Sequence, residues 1–198
     1  MHKIIYIFFS LLIFGCSLNY DQNLLIAPDI STQEKKINNP IDVNFAVVNN
    51  SSDRLGEVRN LSGELKGEVF LNSLSLDNMQ LVIANELRNY GFRISSDTSL
   101  PSIELEITKL TINTGKVAVA YSTELDLEFT LRVKNKGIIN QISKNYTNTR
   151  QTVRPPTLEA NERVLNESIS LLLNEVFETD LLQESFQYFG IRIAFKFV

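Results

Sequence analysis

Residues 117–133 read VAVAYSTELDLEFTLRV. Val117, Val119, Tyr121, Leu125, Leu127, Phe129, Leu131 and Val133 fall on odd positions, and Ser122, Glu124, Asp126, Glu128, Thr130 and Arg132 on even ones. A period of two held this long is a strand signal, because successive side chains of a strand point to opposite faces. One apolar face and one charged face imply an antiparallel sheet with its second face in water.

The flanks extend the pattern. Ile103, Leu105 and Ile107 alternate with Glu104, Glu106 and Thr108, and the apolar phase then slips to Leu110 and Ile112. The slip predicts a bulge near Thr108-Lys109, and Asn113-Thr114-Gly115 reads as a hairpin turn. Lys134-Asn135-Lys136-Gly137 turns the chain again, into a more polar strand from Ile138 to Thr149 that suits a sheet edge. Ile41, Val43, Phe45 and Val47 mark another strand, which ends in the loop Asn49-Asn50-Ser51-Ser52. Gly63 and Gly67 bracket a strand near 65–70.

Met79, Ile83, Leu87 and Tyr90 form one helical stripe. Ser73 or Ser75 can cap its start, Asp77 complements its dipole, and Gly91 suits a left-handed end. Phe92 and Ile94 restart extended chain, and Leu100-Pro101 marks a boundary. Past Pro155-Pro156, Thr157 can cap a second helix with the stripe Leu158, Leu165, Ile169, Leu172 and Val176. Asp180 with Gln183 resembles the capping box of a further short helix. Ile191, Ile193, Phe195 and Phe197 alternate as a C-terminal strand. The expected fold is α+β: a two-layer sandwich with an antiparallel four- to five-stranded sheet and two amphipathic helices on one face, in a single domain over residues 41–198.

The chain has 198 residues, a net charge of −4 and a pI near 5.1. That charge gives no general attraction to phosphate, so no nucleic-acid partner is expected. Residues 1–16 read MHKIIYIFFSLLIFGC. Ile4–Phe14 would span about 16 Å as a helix, far short of a hydrocarbon core of about 30 Å. The run therefore reads as a signal peptide over residues 1–15 rather than a membrane span. Ile13-Phe14-Gly15-Cys16 resembles the bacterial lipobox. That resemblance implies cleavage before Cys16, lipid attachment to Cys16 with palmitate among its acyl groups, and membrane anchorage. Ser17, where Asp would favour retention in the inner membrane, looks like export to the periplasm-facing leaflet of the outer membrane.

Residues 16–40 read as the lipidated N-terminus and a polar tether closing at Pro40. Its aliphatic stretch Leu24-Leu25-Ile26, followed by Ala27-Pro28, can join the sheet or dock a partner. Cleavage would also remove His2, leaving no histidine and an acylated Cys16. A Ser-His-Asp or Cys-His nucleophile is then impossible, as is a zinc site of His and Cys. No cofactor, metal site or catalytic residue is expected, and the protein is read as no enzyme. Glu124, Asp126 and Glu128 share one strand face at about 6.6–6.8 Å spacing, which overlaps the separation used by inverting glycosidases. Thr130, Arg132 and Lys134 continue that face and make it a solvated one. Asp53-Arg54, with Gly56 after it, reads as a turn holding a local ion pair.

The Cys16 lipobox, the Leu24–Pro28 segment, and Val43-x-Phe45-x-Val47 leading to Asp53-Arg54 and Gly56 resemble the YajG family of bacterial lipoproteins. So do Leu87-Arg88-Asn89-Tyr90-Gly91-Phe92 and the long strand pair around Gly115. The resemblance runs from Cys16 to about residue 185 and leaves residues 186–198 beyond it. It implies an outer-membrane-anchored α+β domain and carries no active site. The leading functional expectation is a non-enzymatic envelope module that binds another protein by a sheet edge or by residues 24–28. The alternatives are a binder of lipid, glycan or peptidoglycan fragments, and a carboxylate hydrolase using Glu124 and Asp126.

Overall fold

The computed structural model describes residues 20–30, 37 and 39–191. The signal segment, Cys16 and residues 192–198 lie outside the described residues. In chain order the elements are β1 (Gln22–Leu24), β2 (Ile41–Asn49), β3 (Arg54–Arg59), β4 (Leu65–Leu71), α1 (Ser75–Tyr90), β5 (Phe92–Ser95), β6 (Ser102–Val117), β7 (Ala120–Asn135), β8 (Ile138–Thr152), α2 (Leu158–Glu178) and α3 (Leu181–Ile191).

The long hairpin β6–β7 is the spine. It pairs antiparallel from Ser102↔Lys134 to Val117↔Ala120, with one register shift between Ile107 and Lys109, where the slip in apolar phase places it. On its other side β6 is flanked in parallel by two strands in succession. β2 covers it from Asn44↔Ser102 to Asn49↔Ile107, and β3 meets it at Val58↔Thr114. The intervening chain leaves the ladder and returns, so the sheet forks into two wings. β5 extends one wing parallel to β2. β4, antiparallel to β3, and β1, parallel to β4, extend the other. At the fork Gly56 lies against the Ile112 carbonyl so closely that a Cβ there would fall far inside van der Waals contact distance of its oxygen.

Among the described residues eight strands in a mixed sheet replace the expected four to five antiparallel ones. Alternation reports which face of a strand is buried and says nothing about the direction of its neighbour. β1, β3 and β5 have three, six and four residues, too few to display a period. Among the described residues α1 and α2 are the two expected amphipathic helices, and α3 is the further short helix, opening just after Asp180 and packing on β7 and β8. Between sheet and helices the space is filled: Ile83, Leu87, Phe129, Leu172 and Val176 have no exposed surface.

Other local expectations shift. Asn113–Gly115 is not a turn: Thr114 pairs with Thr123, the strand runs on to Val117, and Ala118 makes the turn at φ 53°. Val117 and Val119 therefore stand in solvent rather than on the core face. Neither Ser73 nor Ser75 caps α1. Leu74 holds the cap position, and Ser75 is the first helical residue, its hydroxyl drawn to the backbone of Leu24 and Ile26. Gly91 does end α1, at φ 111°, and Thr157 does cap α2 by accepting from the Ala160 N–H. Leu158 is exposed, unlike the rest of its stripe. Arg54 opens a strand and pairs with Glu57 (2.7 Å) and Glu68 (2.9 Å), not with Asp53. Ile191, expected to open a strand, is the last residue of α3.

The polar stretch before Pro40 is not a free tether throughout. Gln22–Leu24 is a strand, and Leu24 and Ile26 are fully buried. Beyond the ladder the extended chain is held by side chains. The Leu25, Ala27 and Asp29 N–H groups donate to Glu162 Oε1 (2.9 Å), Asn166 Oδ1 (2.7 Å) and Ser170 Oγ (2.9 Å) of α2, while the Ile26 N–H donates to Ser75 Oγ (3.0 Å) of α1. Positions 162, 166 and 170 rise one helical turn at a time, and alternate residues of extended chain advance by a similar step. Buried Asn161 donates to Gln22 Oε1 at 2.7 Å.

Asn161→Ala should leave the Gln22 amide short of a buried partner and cost about 1–3 kcal/mol in denaturant unfolding. Gly56→Ala should cost about 1–3 kcal/mol or more through overpacking at the fork, against little change for Gly115→Ala, where a Cβ meets open space and the backbone is ordinary strand.

Candidate functional site

The sheet has three outer borders among the described residues, and two of them are short. β1 has three residues and β5 four. Where β2 runs past β5, its free side is taken up by one side chain: Gln80 accepts from the Val47 N–H (2.7 Å) and donates to the Phe45 carbonyl (3.0 Å). The third border is β8. It pairs with β7 without interruption from Tyr121↔Thr152 to Asn135↔Ile138, and no described strand lies on its other side. Fifteen residues give an edge about 50 Å long, along which every second residue directs its backbone N–H and C=O groups outward.

The sequence explains why this edge forms and stays open. Lys136 and Gly137 both adopt positive φ, 48° and 82°, the backbone of a tight two-residue hairpin. On one face Ile142 and Tyr146 pack on the core. On the other stand Gln141, Ser143, Asn145, Thr147, Thr149 and Gln151, all exposed and uncharged. Edges are usually blunted by proline, by a bulge or by outward charge. β8 contains no proline and no register shift, and its charged residues, Lys144 and Arg150, lie on the opposite row.

The acidic row on β7 lies beside this edge. Glu124, Asp126 and Glu128 do share one face, opposite Thr149, Thr147 and Asn145 of β8. Asp126 is ion-paired with Lys109. Farther along, Arg132 reaches Glu104 (2.6 Å) and Glu106 (2.9 Å) across the strands. The row is an open sheet face. Glu124 borders a shallow depression of about 220 Å³, shared with Glu57, Arg59, Asn113 and Lys116. Among the described residues no three acidic, histidine or cysteine side chains are grouped to hold a metal ion.

Residues 24–28, the other anticipated docking element, are engaged with α1 and α2 as described above. The polar positions Glu162, Asn166 and Ser170 that hold them recur at i, i+4 and i+8. That spacing is visible in the sequence beside the apolar stripe of α2, and sequence reasoning passed it over because such a row normally reads as a solvated face.

Comparison with known proteins fits this architecture to a family. The model of the family Lipoprotein_16, described as "Uncharacterized lipoprotein", matches residues 72–187, from just before α1 into α3. The chain belongs to this lipoprotein family. No curated protein matches it. Among solved structures, the chain is similar to protein XCC0632 from Xanthomonas campestris, with 12% identity over 82% of this chain and 94% of that one and a TM-score of 0.49. It is also similar to lipoprotein GNA1162 from Neisseria meningitidis, with 10% identity over 71% of this chain and all of that one and a TM-score of 0.36. No helix among the described residues is long and apolar enough to cross a membrane.

The charge cluster on β3 and β4 sets a pH dependence. Hydrogen bonds from Arg59 and Arg54 hold the Glu57 carboxyl below its usual value of 4.5. A depressed value in the folded state stabilises the fold above the unfolded value, and that contribution is lost as pH falls through the depressed one. The melting temperature should therefore drop as pH is lowered below 4.5, and Glu57→Gln should flatten that part of the profile.

Proposed function

We propose that this lipoprotein is a non-enzymatic interaction module of the cell envelope, and that it binds an extended segment of another envelope protein along the edge of β8. The observation that carries the reading is the contrast among the sheet borders: two are short, β2 is capped by Gln80, and the fifteen-residue β8 edge carries no further strand among the described residues. An added strand would gain a ladder of main-chain hydrogen bonds, with affinity from the backbone and selectivity from alternate side chains. The uncharged row of Gln141, Ser143, Asn145, Thr147, Thr149 and Gln151 presents no like-charge conflict to such a strand. A pocket between sheet and helices for lipid or glycan has no support, because that space is filled by side chains.

The finer placement belongs to the same proposal. Residues 1–15 act as the signal peptide, Cys16 carries the lipid, and Ser17 directs the chain to the periplasm-facing leaflet of the outer membrane. The YajG-like pattern from Cys16 to about residue 185 supports this placement.

A photo-crosslinking residue at Gln141, Asn145 or Thr149 should capture one envelope protein in cells, and the same group at exposed Asn85 of α1, which packs on β2 and β5 across β6 and β7 from β8, should not. Crosslinks returning only this chain's own residues 192–198 would show the edge closed by its own tail and overturn the reading. Cys16→Ala should move the protein from the membrane to the soluble fraction.

A further inference from the structure

The site of lipid attachment, the position of Tyr20 and an apolar loop tip together define how the body faces its membrane. This step rests on lipidation of Cys16. The Tyr20 N–H donates to the Lys66 carbonyl at 3.0 Å, and the Tyr20 backbone lies against Gly67 so closely that a Cβ there would collide with it. The chain is thus fixed to the body from Tyr20 onward, only four residues past Cys16. Four residues reach at most about 14 Å. The lipidated residue cannot be far from the body, whatever path it takes.

The direction follows from the registers. β1 runs parallel to β4, so the chain before Tyr20 arrives at the end of the body where β4 begins. Gly67 pairs with Val58, Val58 with Thr114, and Thr114 with Thr123, which puts Tyr20 near the level of Thr114 on the spine. The β6–β7 hairpin continues past that level by about 10 Å to its last pair, Val117 with Ala120, at about 3.3 Å per residue, and the turn at Ala118-Val119 adds a few ångströms more. Chain reach and hairpin projection are equal to within a few ångströms.

That tip is apolar and exposed. Lys116-Val117-Ala118-Val119-Ala120 forms it, with Val119 86% and Val117 43% exposed, and Val153, next to Thr152 opposite Tyr121, is 85% exposed. Leu65 at the start of β4 and Tyr20 itself, both 47% exposed, stand at the same end. Lys116, Arg150 and Arg154 stand exposed at this end of the spine. Aliphatic side chains bordered by cations and a tyrosine suit the boundary between acyl chains and anionic headgroups.

We infer that the β6–β7 hairpin tip, with Val119 and Val153 at its apex, is a second membrane contact: it dips into the lipid surface beside the Cys16 anchor and sets the orientation of the body. The spine then stands toward the membrane normal, with β8 exposed along its side.

The test uses full-length lipidated protein in vesicles of phosphatidylethanolamine and phosphatidylglycerol. Because the Cys16 sulfur is acylated, Val119→Cys supplies one free thiol for a polarity-sensitive dye, and Thr98→Cys at the opposite end is the control. Nitroxide-bearing lipids should quench the dye at 119 at least about threefold more strongly than at 98, as burial by 5–10 Å into the interface would require. Vesicle flotation and intact mass are measured on the same samples. Protein that floats with lipid attached, yet shows equal quenching at both positions, would overturn the tip contact and leave the anchor standing. Protein of unmodified mass that does not float would remove the anchor, and the inference with it.

Discussion

Everything in this molecule is arranged around the hydrogen-bonding needs of β6. Its sixteen residues are paired on one side by β7 along their full length, but no single neighbour matches them on the other. β2 and β3 share that side, one after the other, and the chain between them must leave the ladder and rejoin it. The fork fixes the rest. It sends β5 to one wing and β4 with β1 to the other, and it requires a residue without a side chain at Gly56, where backbone approaches backbone. An unpaired central strand would cost far more than the irregularity at the fork, because buried backbone groups must find partners.

The second constraint is the latch on residues 20–30. A short strand, two buried aliphatic side chains and a ladder of polar side chains from α2 convert what would be a long flexible leader into part of the body. Each hydrogen bond is modest alone. Together with the burial of Leu24 and Ile26 they hold the chain against the body from Tyr20. Under the proposed lipidation of Cys16 this sets the geometry of function: the body would be held near the bilayer, and the direction in which its edges point would be constrained. The β8 edge and the apolar hairpin tip then occupy different parts of the surface, one suited to an extended partner and the other to lipid.

Local chemistry was legible where it repeats. The period of β7, the phase slip at Thr108-Lys109, the Lys136-Gly137 turn, the Thr157 cap and the Gly91 helix end all stand where the residues placed them. The same reading misjudged Asn113–Gly115, because turn-forming residues inside a long strand are outvoted by cross-strand pairing, here Thr114 with Thr123. It also misread Asp53-Arg54, since Arg54 finds its acidic partners, Glu57 and Glu68, in a strand pair that local spacing cannot reveal.

By itself, then, the amino-acid order determined the spine, the helices and the polar character of β8, because each follows from periodicity, capping and residue type. Strand direction, the fork, the placement of the leader against two helices and the meeting of Val117, Val119 and Val153 at one tip were decided by tertiary structure alone. These depend on contacts between residues dozens of positions apart, and no local pattern encodes which of several compatible neighbours a strand or loop will choose.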